Sequence, residues 1–178
     1  AKTSTSIKIA GAGSVSWNDV NTKTVATIDE VTIDLVGDDA GLEVKAIDES
    51  FIGAYSGAMA LTRAGASLTA DQKTAISGTL SGAVAVNDIV KETSATISGS
   101  SINGAQKTEN VAQNSGAQVA AGLSLGVETG NRSNSYGANL GASGSFNYID
   151  SSVDAVMDDV TIATKDVTVN NIALDKDL

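Results

Sequence analysis

The sequence predicts an all-β chain: a right-handed parallel β-helix, a solenoid of stacked coils, with room for one short helix near 69–77. Three observations carry that prediction. A motif recurs three times at long, regular spacing, the apolar residues inside each copy alternate with a period of two, and the composition suits thin apolar ladders. The chain has 18 Gly, no Pro and only 3% aromatic residues against 42% hydrophobic ones. Strands in the middle of a ladder must donate every N–H, which Pro cannot do. Closely wound coils have space for Val, Ile and Ala rather than for rings.

The first copy runs from Gly11 to Ile33 and the second from Gly82 to Ile102. Asn18 falls on Asn87, Asp19 on Asp88, Val20 on Ile89, Thr24 on Thr93, Ala26 on Ala95, Ile28 on Ile97 and Ile33 on Ile102, all at a shift of 69 without a gap. The third copy runs from Ser143 to Ile162. It sets Asn147, Ile149, Ala155, Met157 and Ile162 on Asn87, Ile89, Ala95, Ile97 and Ile102 at a shift of 60. Residues 1–178 therefore read as a single β-helical repeat array, with repeats at approximately 11–78, 79–139 and 140–178.

Each copy divides into short strands. Val15 and Trp17 alternate with Ser and Asn, as do Val84 and Val86 and, more weakly, Gly144 and Phe146; this first strand is read with its apolar side, Trp17 included, in the core. The phase then slips at the Asn. Thr24, Ala26 and Ile28 form a second strand, answered by Thr93, Ala95, Ile97 and by Val153, Ala155, Met157. A third set is Val31/Ile33, Ile102 and Val160/Ile162, and a fourth is Leu42/Val44 and Val167/Val169. The recurring Ala26, Ala95 and Ala155 mark a tight place in a narrow core.

Asn18, Asn87 and Asn147, sitting where the phase slips, read as turn residues that tolerate positive φ or bond their own backbone. Lining a binding groove is the functional alternative. With coils of about twenty residues, the shifts amount to about three coils each. The chain then holds roughly eight or nine coils, and a body on the order of 40 Å at about 4.8 Å per strand. Two stretches depart from the pattern. Residues 68–78, with Thr69 as N-cap and Gly78 as a stop, suit a short helix or a plain loop. Residues 105–116 are polar and read as a long excursion, with a return to strand at 123–127 and a turn at 131–135.

Composition narrows the function classes. The net charge of −10 repels phosphate backbones, so nucleic acid is not expected as a partner. With no Cys and no His, disulfides, Cys/His zinc sites and imidazole catalysis are excluded. No run approaches the roughly 18 apolar residues of a spanning helix. One Trp, three Tyr and two Phe cannot build the aromatic girdles of an outer-membrane barrel. The chain is thus expected not to span a membrane. The opening AKTSTSIKIA has neither an initiator Met nor a signal pattern and reads as a cut end.

The candidate chemistry is carried by carboxylates. Acidic pairs stand at Asp29/Glu30, Asp38/Asp39, Asp48/Glu49 and Asp158/Asp159. Asp38, Asp39, Asp158 and Asp159 are the candidate calcium ligands, although turn-like surroundings such as Val36–Gly41 also suit plain solvated caps. The Asp-rich nonapeptide calcium repeat is absent. No other cofactor and no catalytic residue is indicated. The glycine runs at 11–14 and 140–145 lack the strand–loop–helix context and the Gly-Lys-Ser/Thr of a phosphate loop, so they read as flat inward strand positions. The Thr alternations are too irregular for an ice-binding face.

The run Gly82-Ala83-Val84-Ala85-Val86-Asn87-Asp88-Ile89, followed by strands such as Gly41–Lys45 and Lys165–Val169, resembles the repeats of very large bacterial surface proteins. These are the leukotoxin-family filamentous adhesins and filamentous haemagglutinin-like autotransporters. The resemblance covers most of the chain and is weakest at 104–118. It implies a right-handed parallel β-helix, export to the cell surface, and a non-enzymatic stalk or adhesive role. The expected partners are neighbouring repeats or copies of the chain itself, together with a host surface or glycan. A self-assembling extracellular filament subunit is the alternative, and a polysaccharide-active β-helix enzyme a more distant one.

Overall fold

The computed structural model describes residues 4–64, 72–130, 135–164 and 166–176. It is all-β, 85% strand, with parallel sheets, no helix and no closed barrel among the described residues, an arrangement that fits a β-solenoid. The strands are β1 (Ser4–Asp29), β2 (Thr32–Asp34), β3 (Gly41–Asp48), β4 (Phe51–Ala64), β5 (Gln72–Ser98), β6 (Ser101–Asn103), β7 (Lys107–Asn114), β8 (Ala117–Gly130), β9 (Ser135–Asp158), β10 (Thr161–Ala163) and β11 (Thr168–Asp175).

They assemble as β1-β5-β9, β2-β6-β10, β3-β7-β11 and β4-β8. Each sheet therefore takes one strand from each successive pass of the chain. The register bears out the repeat alignment: Ile33 and Ile162 both pair with Ile102. The passes are β1–β4, β5–β8 and β9–β11, so one repeat makes one coil. The expectation of eight or nine coils is overturned, because 26-residue and 27-residue strands take up the length that three short coils would have used. The helix expected near 69–77 is also absent from the described part. Residues 72–77 open β5, and 69–71 lie outside the described residues, as do 131–134 of the expected turn. Residues 105–116 are no excursion: they contain β7, whose inward positions Thr108, Asn110, Ala112 and Asn114 are fully buried.

The chain divides into two compact units. Unit 1 comprises residues 1–18, 53–87 and 119–147. Its interior is made of small side chains: Ala54, Ala58, Ala60, Thr62, Ser77, Thr79, Ser81, Ala83 and Ala85 are buried. Unit 2 comprises residues 19–52, 88–118 and 148–178. Its core is the apolar cluster of Val44, Ala46, Ala95, Ile97, Ile102, Ala105 and Ala112, with Ala26, Ile28, Val153, Ala155, Met157 and Ile162 packed against it. The recurring alanine at 26, 95 and 155 is thus a core position, as expected from its small size in every copy.

The strands do not change phase at the Asn. Along β1 the even residues from Ala12 to Ile28 are the less exposed ones, and along β5 the odd residues from Ser77 to Ile97 are buried. Apolar residues occupy the other parity before the Asn and this parity after it. Val15 and Trp17 therefore face solvent, and Trp17, expected in the core, is 64% exposed. The glycines at 11 and 13 lie on that same outward side.

Candidate functional site

The polar groups that converge in this molecule lie inside the coils, in rows that run from strand to strand. In unit 1, Asn18 Nδ2 donates to Asn87 Oδ1 at 2.9 Å and Asn87 Nδ2 donates to Asn147 Oδ1 at 2.8 Å. The same amide nitrogens reach across the interior to the opposite sheet, Asn18 to the carbonyl of Gly53 at 2.7 Å and Asn87 to that of Val119 at 2.9 Å. Asn87 is completely buried. These residues are not turns: an Asn whose two N–H groups and carbonyl are all engaged satisfies a buried strand position that an apolar residue would leave unlinked.

Unit 2 holds a second row. Val44, Asn110 and Asn171 are in register on β3, β7 and β11. Asn110 Nδ2 donates to Asn171 Oδ1 and to the carbonyl of Ala95, each at 2.9 Å, and Asn171 Nδ2 donates to the carbonyl of Ala155 at 3.0 Å. On the other side of Asn110 stands Val44, and Asn110 Oδ1 is buried with no hydrogen-bond donor.

A third row in unit 2 combines charge with amide. Asp48 and Asp175 both pair with Asn114. Asn114 Oδ1 accepts from Thr93 Oγ1, and Asn114 Nδ2 donates to Ser151 Oγ at 2.7 Å. Asp48 Oδ1 accepts the Ser50 N–H at 2.9 Å, and Asp48 Oδ2 accepts from Thr22 Oγ1 at 3.2 Å. Lys91, whose side chain is fully buried, places Nζ 3.9 Å from Asp48 Oδ1. Burial pushes the Asp48 carboxyl up, but the Ser50 hydrogen bonds, the Lys91 charge and the Thr22 hydroxyl outweigh it and hold the group below its ordinary value.

This ion pair escaped sequence reasoning. Asp48 was visible only as half of the acidic pair Asp48/Glu49, and Lys91 carried no signal beyond its place in the alternation, level with Thr22 and Ser151.

The remaining acidic candidates lie outside. Asp38 and Asp39 are exposed in the connection from β2 to β3, while Asp158 ends β9 and Asp159 forms the corner after it. Asp29 and Asp158 occupy the same row on the outer two coils, and Ser98 of the middle coil stands between them, bonding Asp29 Oδ1 at 2.6 Å. Two strand spacings, about 9.6 Å, separate those outer positions. Among the described residues no group of three or more Asp or Glu converges.

The corners explain the acidic pairs better. Glu30, Gly99 and Asp159 stand at equivalent places with φ of 50°, 53° and 49°. The Glu30 N–H donates to the Ser98 carbonyl and the Gly99 N–H to the Asp158 carbonyl, both at 3.0 Å. The pairs Asp29/Glu30 and Asp158/Asp159 are thus corner residues of the first and third coils, with an uncharged Ser98/Gly99 corner between them.

At the surface some stacked positions meet an opposite or uncharged partner, while Glu43 and Glu109, which stack in register, each meet a lysine of their own strand. Lys23 pairs with Glu92 at 2.7 Å, Asn103 donates to Asp34 at 2.7 Å, and Lys107 pairs with Glu109 at 2.7 Å. The Lys107 hydrogen bond, with that from Asn170, holds the Glu109 carboxyl below its usual range.

No helix among the described residues is long and apolar enough to cross a membrane. Comparison with protein-family models, curated proteins and solved structures finds no match to this chain.

Proposed function

We propose that this chain is a load-carrying segment of an exported bacterial surface or fibre protein, a stalk or adhesin wound as a right-handed parallel β-helix, without catalytic activity. The observation that supports it most is what the buried polar side chains do. The Asn rows, the Thr93–Asn114–Ser151 chain and the Lys91–Asp48 pair spend their hydrogen bonds on neighbouring coils and on opposite sheets. Such bonds tie coils together and resist shear between them, which is the work of a stalk. The likeness of residues 82–89 to filamentous-adhesin repeats points to the same class, and with it to an extracellular location and to host surfaces or glycans as partners.

A second reading, an extracellular filament subunit stacking end to end, is favoured by one specific feature. Among the described residues, β1, β2 and β3 on one side and β9, β10 and β11 on the other each pair only with the middle coil. Their outer edges are open, and long open edges are templates for further strands.

Immunolabelling of intact producing cells tests the first reading: label on the outer surface is expected, and label confined to the cytosol overturns it. Negative-stain microscopy of the purified chain separates the two, since uniform short particles at high concentration remove the filament reading. Turnover of acidic glycans by the purified protein would revive the enzyme reading.

A further inference from the structure

We propose that the outward face of β1, β5 and β9 in unit 1 docks face to face on the same face of a second copy of this chain. This goes beyond end-to-end stacking, because it uses the flat side of the sheet and leaves the strand edges free.

The face is apolar at every position. Each odd residue from 7 to 17, each even residue from 76 to 86 and each even residue from 136 to 146 is aliphatic, aromatic or glycine. These residues lie in register: a Cβ built on Gly11 would sit against the Leu80 carbonyl, one on Gly13 against Gly82, and one on Gly82 against Ala142. Val15 is 71% exposed, Trp17 64% and Leu140 64%. The inward side of the same strands carries mostly Ser, Ala, Thr, Asn and Gly, so the large apolar side chains of these strands lie outside and the small ones inside. A water-facing surface of this kind is what an interface looks like before it is covered.

Two observations select a second copy as the occupant. The first is charge. The chain carries a net −10, yet none of it lies on this face. The outward positions of the same strands beyond the Asn row, in unit 2, hold Asp19, Asp29, Glu92, Asp150 and Asp154. Two copies therefore avoid like-charge opposition when they meet through this face.

The second is area. Ten residue steps at about 3.3 Å and three strands at about 4.8 Å give roughly 470 Å² on each copy. The pair then buries close to the ~1,000 Å² that a specific interface requires. The face also has relief. A trough of about 430 Å³ runs over the small residues Gly13, Gly82, Ala142 and Gly144, beside the ridge of Trp17 and Phe146. A copy turned about a two-fold axis at the middle of the face sets the Trp17 and Phe146 row against the row of Ile7, Ile76 and Tyr136, so that apolar rows meet apolar rows throughout, the dry sheet-to-sheet contact of a steric zipper.

Trp17 is the single tryptophan and lies on the ridge, so it reports the contact directly. The experiment is sedimentation velocity across a concentration series, with Trp17 emission read on the same samples. Wild type is expected to form a discrete dimer whose emission shifts to the blue as it forms. Leu80→Lys and, separately, Ile9→Lys, both at exposed positions, are expected to weaken dimerisation by about tenfold or more. Circular dichroism should remain β in both, and Ser94→Lys, on the outward side of unit 2, should change nothing. A wild-type chain that stays monomeric with solvent-exposed emission overturns the proposal. So does association that survives both face variants but is lost in Asn21→Pro, an exposed position whose N–H parity faces the open edge of β1, which would place the contact on the strand edges. A blue shift that appears only with neutral phosphatidylcholine vesicles overturns it in favour of a lipid surface.

Discussion

Glu30, Gly99 and Asp159 adopt one left-handed backbone conformation, yet only one of them is glycine. An L-residue with a side chain held there gives up roughly 1 kcal/mol relative to glycine. Glu30→Gly is therefore expected to stabilise the chain by about 0.5–1 kcal/mol in urea denaturation, the smaller end reflecting the freer unfolded chain. Gly104 makes the opposite case. Its φ is 79° and a Cβ there would collide with the carbonyl of Leu35. Gly104→Ala should cost about 2 kcal/mol or more by the same measurement. Asp48 sets a pH dependence. Its folded pKa lies below the ordinary 3.8, so its contribution is present above that value and is lost as pH falls through the depressed folded one. Wild type is expected to lose stability over that acid window by an increment that Asp48→Asn lacks, read as the difference between their denaturation midpoints against pH.

The amide rows make two predictions at the scale of whole strands. Asn87 bonds on both sides, whereas Asn18 and Asn147 occupy the outer coils. Asn87→Ala, which strips donors from Asn147 Oδ1 and the Val119 carbonyl at once, should cost about 2–4 kcal/mol, and Asn18→Ala distinctly less. The second row is incomplete because Val44 stands where an amide would supply Asn110 Oδ1 with a donor. Val44→Asn is expected to be tolerated within about 1 kcal/mol, since the new hydrogen bond offsets lost apolar burial, while Val44→Ala should cost more. A Val44→Asn variant less stable than Val44→Ala would show that the row is not extended. These rows also explain what could be read from the sequence and what could not. The shifts of 69 and 60 were legible because identical residues stack on one another, Ile102 between Ile33 and Ile162 being the plainest instance. The orientation of the first half of β1 was not. An alternation of Val15 and Trp17 with Ser and Asn invites the inference that the apolar side faces in, and a phase slip at Asn18 is then needed to bring Ala26 and Ile28 inward as well. The inward parity in fact stays the same, and it is the chemistry of the two sides that changes over. The polar β7 was missed for the same reason, because Thr108, Asn110 and Asn114 are buried by hydrogen bonding rather than by hydrophobicity.

Hydrogen-bonded neighbours are separated by 69 residues between the first two coils and by 60 between the next two in β1-β5-β9 and β2-β6-β10, and by 66 and 61 in β3-β7-β11. Every ladder must close a loop of that length before it gains a bond, so folding from denaturant is expected to be slow, in the range of seconds, as stopped-flow fluorescence of Trp17 would record. Closure of β5 onto either neighbour aligns all of that strand's rows together, because one constant offset serves its whole length. The amide rows add one further property. The Asn-to-Asn bonds of both rows run from nitrogen on an earlier coil to oxygen on the later one. A coil added upside down would bring oxygen against oxygen at one end and nitrogen against nitrogen at the other. Whatever extends this body therefore meets two unlike ends, as a growing microfilament does, and joins it facing one way.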